Sequence, residues 1–271
     1  MADQGCSEDS CAQPEKALFG SLNDIKNVIA IMSGKGGVGK STVTSVLATE
    51  LNRMGYKVGI LDADITGPSI PKAFGIKGGG LQATDFGITP PTSAAGVKVM
   101  SVNLFLPNED DPVIWRGPML GGVINQFWAE TNWHELDYLL IDLPPGTGDV
   151  PLTVMQTLPI SGIVIVTSPQ ELVLMIVKKA VKMANKLQTP ILGIVENMSH
   201  AVCPHCHEKM ELFGSAATSE VAANLGVPYL GDIPWNIELN RLMDKGKVDE
   251  YQDEATADIA KTVAQVLEKK N

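Results

Sequence analysis

Residues 33–42 read SGKGGVGKST. The spacing Gly34-x-x-x-x-Gly39-Lys40-Ser41 is that of a loop built to wrap phosphate. Gly34, Gly36, Gly37 and Gly39 let successive backbone N–H groups turn inward, and a helix starting near Lys40 adds the positive end of its dipole. Lys40 is then placed to neutralise β- and γ-phosphates and the Ser41 hydroxyl to hold Mg²⁺, with Val38 and Thr42 completing the cradle. Two acidic strand ends supply further parts of a phosphoryl-transfer site. Asp62 and Asp64 close the run ILDAD, and Asp142 follows the apolar run YLLI. Asp142 fits a carboxylate that orders magnesium through water, and Asp64 one that orients an attacking water; a strand-end Asp equally serves as a cap for the next helix. GTGD, residues 146–149, is a natural switch segment able to follow a γ-phosphate.

The second lysine of the loop, Lys35, needs its own reason. Two ammonium groups about 4 Å apart repel by roughly 1 kcal/mol in water and about 4 kcal/mol at an effective dielectric of 20. A bound polyphosphate justifies the crowding. Lys40 and Mg²⁺ already serve the inner side, so a lysine on the outer lip is free to reach a second nucleotide held by a facing subunit, as a finger supplied in trans. The alternative is a solvated loop lysine.

CPHC places Cys203 and Cys206 at the first and fourth positions of a turn, with Pro204 favouring the bend. The pair suits zinc, an iron-sulfur cluster or a dithiol redox couple, although HEKMELFG offers no helix start of the kind a redox pair uses. A [4Fe-4S] cluster generally takes four thiolates, which two chains about a two-fold axis would supply. Cys6 and Cys11, added to Cys203 and Cys206, also make four within one chain, or are incidental reduced thiols. His205 and His207 are further zinc donors or local hydrogen-bonding groups.

These residues must be positioned by a scaffold. Strands are expected at 27–33, 57–64, 97–103, 138–144, 162–168, 191–198 and 228–234, all apolar runs rather than strict alternations. Helical stripes lie at 41–54, with Gly55 as its stop, and near 118–130, 149–158, 169–187, 215–225, 237–245 and 254–269. The alternation implies an α/β fold: a doubly wound, mostly parallel sheet of about seven to eight strands, helices on both faces, and ligands at the carboxyl ends of the strands. Residues 1–23 read as a flexible tail and 24–271 as one P-loop ATPase domain, with 75–80 and 87–96 as a flexible connection or a hairpin.

The chain has 271 residues, with 21 Lys and Arg against 31 Asp and Glu, a net charge of −10. That surplus disfavours nucleic acid and anionic membranes, and the lysines of 178–186, interleaved with apolar positions, do not read as a strong basic patch. No run is long enough to span a membrane, and the polar, acidic start lacks the pattern of a secretory signal, so a cytoplasmic protein with reduced thiols is expected.

GKGGVGKST resembles the deviant Walker A loop of the MinD, ParA and nitrogenase-iron-protein class of dimeric ATPases. With DADITGPSIP, DLPPGTGD, SPQELVL and ENMSHAVCPHC, the chain is similar to the Mrp/ApbC family of iron-sulfur cluster carrier ATPases over most of residues 20–250. The resemblance implies a slow ATP hydrolase that works as a homodimer. Lys35 would contact the partner's nucleotide, Asp64 orient water, and Asn197 with the segment near Pro234 meet the adenine. Cys203 and Cys206 would hold a bridging [4Fe-4S] cluster for apo iron-sulfur proteins, received from upstream scaffold proteins. Eukaryotic cytosolic relatives carry an N-terminal four-cysteine motif, of which this chain has only Cys6-x₄-Cys11. A positioning or partitioning switch of the MinD/ParA type, or an ATPase with structural zinc, is the alternative.

Overall fold

The computed structural model describes residues 23–64, 67, 69–78, 81, 83–84, 87–106, 117–203, 205–214 and 218–269; the side chains of 83, 84, 117–120, 171–174 and 176 stand outside the description. The expected tail apart from Asn23, with Cys6 and Cys11, lies outside the described residues, as do Gly79, Gly80 and Pro204.

The elements, in chain order, are β1 (Asp24–Ser33), α1 (Lys40–Arg53), β2 (Val58–Asp62), α2 (Ile70–Ala73), β3 (Ala83–Thr84), β4 (Gly87–Ile88), β5 (Lys98–Ser101), α3 (Gly117–Glu130), β6 (Glu135–Asp142), α4 (Asp149–Thr157), β7 (Gly162–Thr167), α5 (Glu171–Lys186), β8 (Ile191–Asn197), β9 (Ala201–Val202), β10 (Lys209–Met210), α6 (Thr218–Leu225), β11 (Tyr229–Ile233), α7 (Ile237–Asp244) and α8 (Glu254–Glu268). Seven strands form one parallel sheet in the order β11-β8-β7-β1-β6-β2-β5.

The apolar runs are explained by helices on both faces. Along β1, Ile29 and Ile31 pack into a layer with Val43, Val46, Leu47 and Leu51 of α1 and Ile259, Val263 and Leu267 of α8. Their neighbours Val28, Ala30 and Met32 point the other way, to Ile124 of α3, Val154 of α4, Val177 and Val181 of α5 and Ala222 of α6. A strand buried on both sides has no polar face to alternate with. Gly55, at φ 92°, ends α1 as a left-handed cap.

Several expected strands are trimmed at their ends, β2 to Val58–Asp62 and β5 to Lys98–Ser101 most of all. The run 97–103 is extended only to Ser101 and then turns into a 3₁₀ helix at Val102–Phe105. β5 is the edge strand of the sheet: an isolated antiparallel bridge from Thr92 flanks only its first residue, Lys98, and its sheet neighbour β2 ends at Asp62 opposite Ser101, where the pairing stops. Within 75–96, β3 and β4 make a small antiparallel pair.

After β1 the chain moves to β2, returns to fill the gap with β6, and then crosses to β7 on the other side of β1. The direction of winding reverses at β1, so a crevice opens at its carboxyl end. The glycine-rich loop sits there.

Candidate functional site

Gly37 and Gly39 take φ of 82° and 78°, a region costly for other residues. Gly36 differs from them. It lies outside the left-handed region, is exposed, and a Cβ built on it would meet only Pro145 Cγ at 3.9 Å, an ordinary contact. The turn itself therefore does not require glycine at this position; Gly36 lines the mouth of the loop's cavity, where a side chain would occupy space otherwise open to a ligand.

Gly39 is the N-cap of α1 and supplies no side-chain cap, and the first turn holds no acidic residue. The orphan N–H groups of a helix start are thus left for another acceptor. Gly39, Lys40, Ser41 and Thr42 line a cavity of about 230 Å³ together with Lys35, Asp64 and Pro145. Its volume is below the roughly 300–1,000 Å³ of pockets that enclose whole drug-sized ligands, a scale suited to phosphates.

Asp142 and Asp62 are direct neighbours on β6 and β2. Asp142 is fully buried, and both its oxygens are engaged. Oδ2 accepts from the Ser41 hydroxyl at 2.5 Å and pairs with the Lys40 ammonium at 2.8 Å, while Oδ1 accepts from the Thr44 hydroxyl at 2.8 Å. Lys40 Nζ also stands 3.4 Å from Asp64 Oδ2. Asp62 accepts from the Asp64 N–H and the Ser101 hydroxyl. Burial first, and then the charge of Asp142, pushes the Asp62 carboxyl well above the usual carboxylate range. Lys40, Ser41, Asp64 and Asp142 therefore meet at one point, a donor set of carboxylates and a hydroxyl that suits magnesium. Thr44 was not anticipated; its only sequence signal is a hydroxyl beside Val43 on the buried stripe of α1.

Lys35 is exposed on the outer lip, its ammonium 3.4 Å from Gln170 Oε1. Gly146 of the GTGD segment, at φ 93°, donates its N–H to the carbonyl of Ser33, and Asp149 opens α4. Asn197, expected from the family resemblance near an adenine, is buried and donates from its amide to the Val38 carbonyl at 3.0 Å. A Cβ on Gly39 would collide with that amide, so the loop and the end of β8 fit only around glycine. Pro234 is half-buried, between Ile233 and Trp235, whose backbones bond to Ser199 and His200.

β8 leads directly into the cysteine segment. β9 and β10 pair antiparallel, Val202 opposite Lys209, and the turn is closed by Cys203 N–H to Glu208 and His207 N–H to Cys203. This is a hairpin turn, not the start of a helix. Cys206 is exposed and Cys203 half-exposed. The backbone N–H groups of Cys206 and His205, and then the Cys206 thiol, point at the Cys203 sulfur and hold its thiol below the ordinary value of 9.0. Among the described residues, no three His, Cys, Asp or Glu side chains are disposed to hold a metal ion. Val202, Met210, Leu212 and Phe213 leave an apolar rim exposed around the turn. Beneath the hairpin, Glu196, Ser199, His200, Lys209, Thr218 and Asp232 help to line a polar cavity of about 280 Å³.

Among the described residues, no helix is long and apolar enough to cross a membrane. The family model of the ParA group described as NUBPL iron-transfer P-loop NTPase matches residues 24–269. An iron-sulfur cluster carrier protein of Clostridium perfringens is 51% identical, over 92% of this chain and 88% of its own length. A protein of the same description from Methanocaldococcus jannaschii is 48% identical, over 95% and 90%. Among solved structures, a nucleotide-binding protein from Archaeoglobus fulgidus in complex with ADP superimposes with a TM-score of 0.77 at 47% identity, covering 85% of this chain and 90% of that one. The MinD cell division ATPase of Pyrococcus furiosus, at 21% identity and a TM-score of 0.64 over 89% and 99%, shares the fold. Matched from the first strand of its sheet to its last helix, and close to half identical to carriers over nearly their whole length, the chain belongs to the NUBPL iron-transfer P-loop NTPase family.

Proposed function

We propose that this chain is an ATP-binding, slowly hydrolysing homodimer in the cytoplasm, which holds an iron-sulfur cluster between two Cys203/Cys206 pairs and delivers it to apoproteins. One observation carries the reading: a hairpin with two thiols and no third metal ligand among the described residues follows directly on the strand whose last residue, Asn197, clasps the phosphate loop. Two thiolates are half of what a [4Fe-4S] cargo takes, and a second copy about a two-fold axis supplies the other half.

In this reading residues 24–271 are the ATPase domain. The N–H groups of residues 36–42 and the Lys40 ammonium bind the phosphates. Mg²⁺, held by Ser41 with Asp142 behind it, would neutralise charge on the phosphate oxygens. Asp64, beside Lys40, orients the attacking water. Lys35, exposed at the lip, reaches the nucleotide of the facing subunit and stabilises charge there. Asn197 spends its amide N–H on Val38, which leaves its amide oxygen to accept from the exocyclic amine of adenine, with Pro234 against the ring. Upstream scaffold proteins supply the cluster and apo iron-sulfur proteins receive it.

The test is anaerobic reconstitution with iron and sulfide, with and without ATP. The expected product is a species of twice 28.9 kDa with a broad visible charge-transfer band. The band should vanish in the Cys203→Ala, Cys206→Ala variant while nucleotide still binds. A chain that remains monomeric yet donates cluster at full rate, or that takes one zinc per chain in place of iron, overturns the proposal.

A further inference from the structure

We propose that the solvent face of α5 is a docking surface for a protein partner presenting a compact acidic patch. Lys178, Lys179, Lys182 and Lys186 are all exposed, and from residue 172 to 186 the helix contains no acidic residue. At 3.6 residues per turn the four fall within an arc of about 100° along about 12 Å of helix. Met175, 56% exposed, lies on the same arc, and Val177, Ala180, Val181 and Ala184 are buried on the opposite side. Among the described residues none of the four lysines forms an ion pair.

Helix stability does not account for them. The pairs 178/182, 179/182 and 182/186 set like charges at the spacings where they repel. Nor does the protein as a whole favour anions, since its net charge is −10. That background opposes an extended polyanion or an anionic bilayer, whereas a compact acidic patch meets the lysines inside a Debye length of about 10 Å at 0.1 M salt. The exposed methionine at the N-terminal end of this cationic strip adds apolar area of the kind a protein contact buries.

The position of the helix adds to this. Gln170, immediately before α5, accepts from Lys35, and Pro169 lines the polar cavity beneath the cysteine hairpin. A partner lying along α5 would sit next to both. That such a partner gives or takes a cluster rests on the carrier reading; the docking itself does not.

The test uses the full-length chain without cluster, titrated with a short fluorescent helical peptide that carries Asp and Glu on one face only, with labelled oligo-dT, and with phosphatidylglycerol vesicles. A Lys→Glu variant at all four positions is compared. The acidic peptide should bind the natural chain, weaken as salt rises, and lose about tenfold or more in the variant, which should instead bind a lysine-rich peptide. ADP affinity and thermal midpoint should match between the two chains. If the reversed chain folds poorly, Lys→Gln at the same positions carries the comparison, with loss of acidic-peptide binding expected. Equal peptide binding by both chains overturns the proposal. So does α5-dependent binding of oligo-dT or vesicles in preference to the peptide, or salt-sensitive self-association, which would make the occupant a second copy. Failure of the chain to take up a cluster would sink the carrier reading and leave this result untouched.

Discussion

The phosphate loop and the cysteine hairpin are joined by the end of one strand, yet they are built on opposite principles. Around the loop the inner polar groups are committed: Asp142 is fully buried with both oxygens bonded, Lys40 bridges two carboxylates, and Asn197 clasps the backbone. The hairpin has two-residue strands, exposed sulfur and an exposed apolar rim. Stabilising charge on a transferring phosphoryl group calls for dipoles fixed in advance, and fixing them needs burial. The cargo proposed for the hairpin must leave, and is better held where local structure opens at low cost.

The largest effect expected from this contrast is on the proposed ATP hydrolysis. Lys40→Ala removes the ammonium from a site that holds three carboxylates, and ATP turnover should fall by about 10² to 10³ or more, as when a fixed charge-stabilising donor is lost. Met210→Ser with Phe213→Ser, on the exposed rim of the hairpin, should leave turnover intact and move stability by no more than about 0.5 kcal/mol. Steady-state phosphate release and a denaturant melt on both variants check the pair. A hairpin variant that loses turnover while Lys40→Ala keeps it would show that the rigid and loose regions are assigned the wrong way round.

A smaller effect sharpens the same comparison. Thr44→Val keeps the shape of the side chain but leaves Asp142 Oδ1, fully buried, without its hydroxyl donor. The cost expected for such an orphaned acceptor is about 1–3 kcal/mol. Thr44→Ser restores the hydroxyl and should recover most of it. Unfolding in urea reads the difference directly; an unchanged midpoint for Thr44→Val would mean that Asp142 is held by Lys40 and Ser41 alone.

Thr44 also marks the boundary of what the amino-acid sequence discloses. Most strands of the sheet were legible because burial on both faces turns them into apolar runs, β11 with Gly231, Asp232 and an exposed Tyr229 being the weakest, and the loop was legible because its glycines and lysines are contiguous. That contiguity hides a difference of role: Gly37 and Gly39 hold left-handed backbone, whereas Gly36 does not, and the letters are the same. Thr44 was not legible, since a hydroxyl on a helix stripe has the same appearance whether or not a carboxylate from β6 arrives opposite it. The bond from Asn197 to Val38 depends on two segments 159 positions apart meeting across the sheet. The lysines of α5 were passed over as interleaved with apolar positions, although the helix expected at 169–187 and its 3.6-residue period already bring them to one face. The early end of β5 followed from the length of a neighbour, which no local pattern contains.

The smallest predicted effect lies at the root of the hairpin, where the two regions meet. Glu196 precedes Asn197, is 7% exposed, and faces the polar cavity beneath the cysteines. Burial, and less strongly the charge of Asp232, raises its carboxyl above the ordinary 4.5, although the Thr218 hydroxyl works in the opposite direction. The folded chain therefore holds this proton more tightly than the unfolded chain. Any stability from that preference is fully present below about pH 4.5 and is lost as pH rises through the folded value, because ionised Glu196 must then be kept out of water. Glu196→Gln cannot ionise, and its amide oxygen still accepts from Thr218. The variant should accordingly melt higher than the natural chain at neutral pH, and the advantage should shrink to nothing as pH falls toward the ordinary carboxylate value. Parallel melting curves at every pH would show that water already reaches Glu196, and would place the hairpin's root with the loose region rather than with the loop.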